Sequence, residues 1–191
     1  MTNKHQLEMK KSTGSALRTG FSLCVGFAVS IGIGSLLTGC GDDGIYECNG
    51  GGSANTLSGS YCENTEMVFT EVALLLVGST KTLRIEYING DRTNKTLQIL
   101  VTPPANEPFV ENQTISLTAI GATVQRFAAS ATAPINLTSE LDSTSNLLFS
   151  KYNGEVGAEA AGEFHLLFKT GRTLEGEFEG VIVDAFAATG N

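Results

Sequence analysis

The stretch EVALLLVGSTKTLRIEYI, residues 71–88, predicts a β-hairpin because two apolar runs flank a short polar connection. A four-residue loop at residues 78–81 sets the register of the two strands. The cross-strand pairs expected from it are Leu76 with Leu83, Leu74 with Ile85 and Val72 with Tyr87. These six side chains form one apolar face. The opposite face receives Arg84 and Glu86 together with Ala73 and Leu75, so we expect it to be partly covered.

The same period-two alternation, punctuated by Gly and Asn, continues along most of the chain. It predicts strands at residues 96–101 and 114–120, and it favours a strand over a helix at residues 123–131. Three prolines in PPANEP, residues 103–108, should end the strand pairing there and produce a crossover, because proline cannot donate to a sheet ladder. The predicted fold class is all-β, an antiparallel β-sandwich or open β-barrel of about eight or nine strands.

A hairpin is predicted around the dipeptide Asn153-Gly154, which favours a type I′ turn. That turn would place Phe149 opposite Ala158 and Leu147 opposite Ala160. This hairpin would join two apolar strands in the C-terminal third of the chain.

The last predicted hairpin joins two strands whose apolar residues alternate with polar ones. Because opposed residues share a face, an odd-numbered loop matches the two apolar faces, and a three-residue loop at residues 170–172 is the shortest that does so. The pairs expected from it are Phe168 with Leu174, Leu166 with Gly176 and Phe164 with Phe178. The same register places His165 opposite Glu177 on the outer face.

The N-terminal segment has the order of a bacterial export signal. Residues 1–20 carry four basic residues and one acid, and residues 21–37 are uncharged and apolar. The tetrapeptide Leu37-Thr38-Gly39-Cys40 that follows resembles the lipobox of bacterial lipoproteins. The resemblance covers the first 41 residues.

This resemblance implies that the Cys40 thiol receives a diacylglycerol, that the signal is cleaved between Gly39 and Cys40, and that the new terminus is acylated. Several acyl chains hold a protein at a membrane stably, since each buried methylene adds about 0.8 kcal/mol. In such lipoproteins an Asp after the cysteine implies inner-membrane retention. Here that residue is Gly41, so the outer membrane is the expected location.

The chain therefore divides into a signal peptide at residues 1–39, a flexible Gly/Ser-rich tether at residues 40–56 and a β-domain at residues 57–191. From Cys40 onward the chain has 19 acidic and 8 basic residues, a net charge of about −11. Such a balance repels nucleic acid and anionic lipid head groups. We expect no nucleic-acid partner.

Two cysteines, Cys48 and Cys62, remain once Cys24 is removed with the signal and Cys40 is acylated. An even pair in an exported protein predicts a disulfide, and a loop of this length would contribute roughly 3 kcal/mol in the chain-entropy model. Zinc binding is the rival interpretation. Two thiols with no nearby His and no CxxC spacing make a poor zinc site.

Candidate chemistry is sparse. The mature chain has none of the common catalytic or phosphate-binding motifs, and its single histidine, His165, lies in an alternating strand where a surface histidine is expected. Glu175, Glu177 and Glu179 recur at every second residue, so all three project from one face of a strand. That row predicts either a solvated face or a site for Ca²⁺ or a basic partner. No cofactor is expected.

Two functional hypotheses follow. The first is a non-enzymatic lipoprotein, held at the membrane by its N-terminal lipid, whose β-domain serves an envelope, surface or adhesive interaction with another envelope protein. The alternative is a β-barrel lipoprotein that encloses a small apolar ligand, since barrels of this size can hold one.

Overall fold

The computed structural model describes residues 46–48, 54–129 and 131–187. The predicted signal peptide, the lipobox with Cys40 and most of the tether lie outside these residues. Within the described residues, strands dominate, and the two short 3₁₀ turns are Cys62–Asn64 and Thr138–Glu140. The all-β prediction is confirmed. The strands are β1 (Thr56–Ser58), β2 (Glu71–Val77), β3 (Thr82–Ile88), β4 (Lys95–Val101), β5 (Thr114–Ser116), β6 (Thr123–Arg126), β7 (Ile135–Asn136), β8 (Asn146–Lys151), β9 (Glu159–Leu167) and β10 (Thr173–Asp184).

These strands form one curled sheet, a half-barrel, in the order β5-β8-β9-β10-β2-β3-β4-β6-β7, and β1 pairs with β10 beside β2. All neighbours are antiparallel except β10 and β2, which run parallel, with Ile182 opposite Leu74. The sheet is therefore mixed, whereas the alternation predicted only antiparallel pairs. The parallel pair joins strands far apart in the chain, which no local loop signal specifies. No helix in the described part of the chain is long and apolar enough to cross a membrane.

The hairpin of β2 and β3 has the predicted register. Val72 lies opposite Tyr87, Leu74 opposite Ile85 and Leu76 opposite Leu83. The prediction that the other face is partly covered is also confirmed, since Leu75 is 4 % exposed and Glu86 is 1 % exposed.

Strand β4 pairs with β3 and ends before Pro103, as predicted. The chain then crosses to the opposite end of the sheet, where β5 pairs with β8. Strand β5 is shorter than the predicted 114–120, because a turn begins at Leu117, whose carbonyl accepts from the Ala122 amide. The strand preference at residues 123–131 is confirmed only for β6, which ends at Arg126.

The predicted type I′ hairpin at Asn153-Gly154 is wrong. Phe149 lies opposite Gly162 instead of Ala158, and Leu147 lies opposite Phe164 instead of Ala160. Asn153 does not have the positive φ that a type I′ turn needs. Its side-chain Oδ1 instead accepts from the Glu155 amide, which forms a local turn within a longer connection.

The predicted register of the last hairpin is wrong by two residues. Gly176 lies opposite Phe164 and Phe178 opposite Gly162, while Leu174 pairs with Leu166. Phe168 pairs instead with Leu141 in a single bridge, and its amide donates to the Arg172 carbonyl, which closes a longer loop.

A shift of two residues leaves every side chain on the predicted face, so the alternation could not exclude this register. The observed register places an aromatic ring against each of two glycines, Gly162 and Gly176. A Cβ at Gly176 would lie 2.6 Å from the Phe164 ring, and one at Gly162 would lie 2.7 Å from the Phe178 ring. Packing of rings over glycines therefore favours this register over the predicted one.

Aromatic side chains fill the interior of the curled sheet. The Tyr87 ring packs edge-on against Phe69 and against Phe164, with centroid distances of 4.9 and 6.0 Å. Its hydroxyl donates to the Glu177 carbonyl at 2.8 Å and so links β3 to β10 across the interior. Burial, with a smaller contribution from the Glu177 charge, raises the pKa of Tyr87 far above its usual range, so this hydroxyl keeps its proton.

The predicted disulfide between Cys48 and Cys62 is present, with Cα atoms 5.4 Å apart. Residues 46–48 lie within the predicted tether, yet they pair with the end of β1. The Cys48 amide donates to the Leu57 carbonyl, and the Gly59 amide donates to the Tyr46 carbonyl. Part of the tether is thus bound to the domain.

Candidate functional site

The candidate site is the outer face of β1, β8, β9 and β10, which we call the acidic face. Strand β10 directs Leu174, Gly176 and Phe178 into the core, and it directs the predicted row of glutamates to the opposite, exposed side. Strand β9 adds Glu163 on the same side. Five carboxylates are exposed on this side. One is that of Glu159 at the start of β9, and the other four are those of Glu163, Glu175, Glu177 and Glu179.

The register of the strands brings these residues into two cross-strand rows. One row contains Asn146, His165, Glu175 and Ser58, and the other contains Leu148, Glu163, Glu177 and Thr56. Glu163 and Glu177 are therefore directly opposed on neighbouring strands. Like charges in that position destabilise a sheet.

His165 lies beside Glu175, not beside Glu177 as predicted. Its Nδ1 is 2.8 Å from the Glu175 Oε1, and the two side chains are 39 % and 52 % exposed. Ser58 is on the far side of Glu175 from His165, because β1 and β9 flank β10 on opposite edges. The row therefore lacks the Ser-His-acid order that activates a serine nucleophile.

The acidic face is an extended charged surface and not a compact coordination site. Alternate residues of one strand are about 6.5 to 7 Å apart, so Glu175, Glu177 and Glu179 do not converge on one point. No group of three His, Cys, Asp or Glu residues among those described lies close enough to hold a metal ion. Ca²⁺ requires six to eight oxygen ligands.

Two shallow, open depressions of about 280 and 310 Å³ lie on the acidic face and share Glu163 and Glu177. Thr56 and Ser58 of β1 form one side of the first depression, and β8 contributes to both. The carboxylates are thus accessible to a large partner rather than enclosed around a small one.

Basic residues are nearly absent from the strands of the acidic face. Within β1, β8, β9 and β10 the only Lys or Arg is Lys151, at the end of β8, and the one histidine is His165. Lys151 forms an ion pair with Glu159. That contact raises the pKa of Lys151, with smaller contributions from the charges of Glu179 and Glu111, and it lowers the pKa of Glu159.

A second charged cluster lies on the outer face of β3 and β4. The Glu86 Oε1 accepts from Arg84 and Gln98 and lies 3.0 Å from the Lys95 Nζ. Sequence reasoning placed Arg84 and Glu86 on this face but did not identify the cluster. The register of β3 and β4, which places Gln98 opposite Glu86, is the signal that could have revealed it.

No protein-family model matches this chain, and no curated protein or solved structure does so either. The candidate site is therefore defined by the geometry of the described residues. Its distinguishing feature is a directly opposed pair of exposed carboxylates, Glu163 and Glu177, neither of which has a described ion-pair partner.

Proposed function

We propose that this protein is a non-enzymatic, lipid-anchored protein of the bacterial envelope whose β-domain binds a cationic partner through the acidic face. The partner is a protein or polymer with clustered positive charges. The direct opposition of Glu163 and Glu177, neither of which has a described ion-pair partner, is the observation that carries this proposal.

The anchor rests on the sequence. A basic segment, an apolar segment and the lipobox-like Leu37-Thr38-Gly39-Cys40 occur in the order that lipoprotein processing requires. The tether that follows would hold the β-domain close to the membrane surface, with an outer-membrane location expected from Gly41. Replacing the lipidated residue, Cys40→Ser, should abolish acyl labelling and leave the signal attached; lipid labelling of the variant would contradict the anchor.

The acidic face supports a binding role because its charge arrangement costs stability without serving the core. Directly opposed like charges are unfavourable by up to about 1 kcal/mol, and no internal partner compensates them in the described residues. Features that oppose folding in one region commonly serve function. A cationic partner would remove the repulsion and gain long-range attraction.

The interior does not favour the alternative of an enclosed apolar ligand. Phe69, Tyr87, Phe149, Phe164 and Phe178 are all buried there and pack against one another. The two depressions of the acidic face are open to solvent. A surface interaction therefore fits the geometry better.

A binding experiment with a labelled lysine decapeptide tests the proposal. Neutralising the acidic face with E163Q, E175Q, E177Q and E179Q together should weaken binding by about tenfold or more at low ionic strength, where the Debye length is about 30 Å. Raising the salt concentration should also weaken binding of the lysine decapeptide to the unmodified protein.

A matched control variant changes the net charge by the same amount elsewhere. Four exposed glutamates outside the acidic face with no described side-chain hydrogen bond serve this purpose: Glu63, Glu66, Glu107 and Glu155. Their replacement by glutamine should leave most of the affinity intact. Equal loss in both variants would mean that net charge alone attracts the peptide, and the proposal would be wrong.

A further inference from the structure

The segment that leads from the predicted anchor into the domain also builds part of the acidic face. Strand β1 follows the tether, and Thr56 and Ser58 line one side of the face. The Thr56 Oγ1 accepts from the Glu177 amide at 3.2 Å, and the Asn55 Oδ1 accepts from the Glu179 amide at 2.8 Å. Any force that detaches β1 would therefore damage the binding surface.

Strand β1 is attached by the buried side chain of Leu57 and by a small number of backbone pairs. It has three residues, pairs with β10 at three positions, and has a single bridge on its other edge, between Glu47 and Ser58. Backbone pairs at the end of so short a strand can open one after another when its terminus is pulled. The three-residue pairing of β1 with β10 is therefore the contact that we expect to open first when the tether is pulled.

The residues that follow β1 are held more firmly. The Tyr61 amide donates to the Thr173 carbonyl at 2.9 Å. The Arg172 guanidinium donates to the carbonyls of Ser60 and Tyr61 and lies 5.1 Å from the Tyr61 ring centroid. Tyr61 in turn packs against Phe168 in the core. Cys62 follows directly after this firmly held stretch.

We infer that the Cys48–Cys62 disulfide diverts tension from the membrane anchor past β1, so that the acidic face stays intact while a bound partner is pulled. Tension applied before Cys48 passes through the disulfide to Cys62, and the chain between the two cysteines carries none. This inference rests on the proposed anchor and binding role, since these supply the two ends that are pulled.

Without the disulfide, the same tension would run through the backbone of β1. Residues 46–48 would separate from β1 first, and β1 would then separate from β10, while β8, β9 and β10 remain folded. The two cysteines are 14 residues apart, so this step releases up to about 50 Å of extended chain.

Single-molecule pulling on the purified protein tests the inference. Handles are attached at Asp42 in the tether and at the exposed Ala187, through residues that carry a click-chemistry group. The oxidised protein should show no extension before the main unfolding event. The variant Cys48→Ser/Cys62→Ser should show an added low-force extension of up to about 50 Å first.

Moving the first handle to the exposed Glu63 provides the matched control, because tension then enters after Cys62. The added extension should vanish in both forms. Should the serine variant fail to fold, the natural protein reduced on the instrument takes its place. An early extension in the oxidised protein, or its absence without the disulfide, would overturn the inference. Because chemical handles replace the lipid, the outcome is independent of acylation at Cys40, which the labelling experiment tests separately.

Discussion

Acidic residues are arranged in opposite ways on two regions of the outer face of the sheet. On β3 and β4, the Glu86 carboxylate is buried and surrounded by Arg84, Lys95 and Gln98. On β9 and β10, five glutamates are exposed. Glu159 forms an ion pair with Lys151, and Glu175 contacts His165. Glu163, Glu177 and Glu179 have no described side-chain hydrogen bond or ion pair. The first arrangement compensates its charge within the fold. In the second arrangement, the exposed carboxylates are accessible to a binding partner.

Burial explains the difference. Leu75 and Ile88 are buried on the outer face near Glu86, so a charge there loses most of its hydration and must be paired. Carboxylates of the acidic face remain in water, where hydration and salt reduce their repulsion. The comparison therefore predicts that charge removal destabilises one face and not the other.

The variant Glu86→Gln should have the largest effect. It leaves Arg84 and Lys95 without their carboxylate in a largely desolvated position, and removing one member of such a cluster costs about 2 to 4 kcal/mol. Both cations are partly exposed, which favours the lower end. Urea denaturation measures the change, with Glu179→Gln as the exposed control. If the two variants have equal stability, the proposed contrast between the faces fails.

The variant Gly176→Ala tests whether the inner side of β10, opposite the acidic face, is required for stability. The added Cβ would lie 2.6 Å from the Phe164 ring and 2.8 Å from the Tyr87 hydroxyl oxygen, so we expect a loss of about 1 to 3 kcal/mol. Gly180→Ala is the matched control on the same strand, because its nearest contact would be an ordinary 3.6 Å to Leu74. Equal thermal stability of the two variants would contradict this assignment.

How much of this fold the sequence can predict depends on which contacts set each register. The β2–β3 register followed from a four-residue loop between two clear apolar runs. For the last hairpin, alternation predicted the correct faces but could not distinguish registers that differ by two residues. The choice depends on contacts distant along the chain, such as the Phe164 ring over Gly176.

The candidate site was predictable to the same extent. The spacing of Glu175, Glu177 and Glu179 placed them on one face of one strand, which the structure confirms. The opposition of Glu163 to Glu177 required the correct register of β9 and β10. The contribution of β1 required knowledge that it pairs with β10, more than a hundred residues later in the chain.

The variant Tyr87→Phe should lower stability by an intermediate amount, because it removes a hydrogen bond between β3 and β10. It removes the hydroxyl that donates to the Glu177 carbonyl and leaves that carbonyl without this donor, a loss of about 1 to 2 kcal/mol. Tyr46→Phe removes the same group from an exposed ring and should change stability very little. Chemical denaturation of both variants measures the difference. Equal values would show that the interior link between β3 and β10 contributes nothing to stability.

The variant Glu177→Gln should have the smallest effect and the opposite sign. It removes the charge opposite Glu163, so the free energy of unfolding should rise by about 0.2 to 1 kcal/mol at low salt. High salt should reduce this gain, because screening already weakens the repulsion in the unmodified protein. Adding Glu163→Gln should give little more, since the repulsive pair has already been removed. Glu179→Gln, opposite the uncharged Ala161, should gain less than Glu177→Gln. If Glu177→Gln is less stable than the unmodified protein, this carboxylate stabilises the fold, as Glu86 does. The argument that the acidic face is a binding surface would then be wrong.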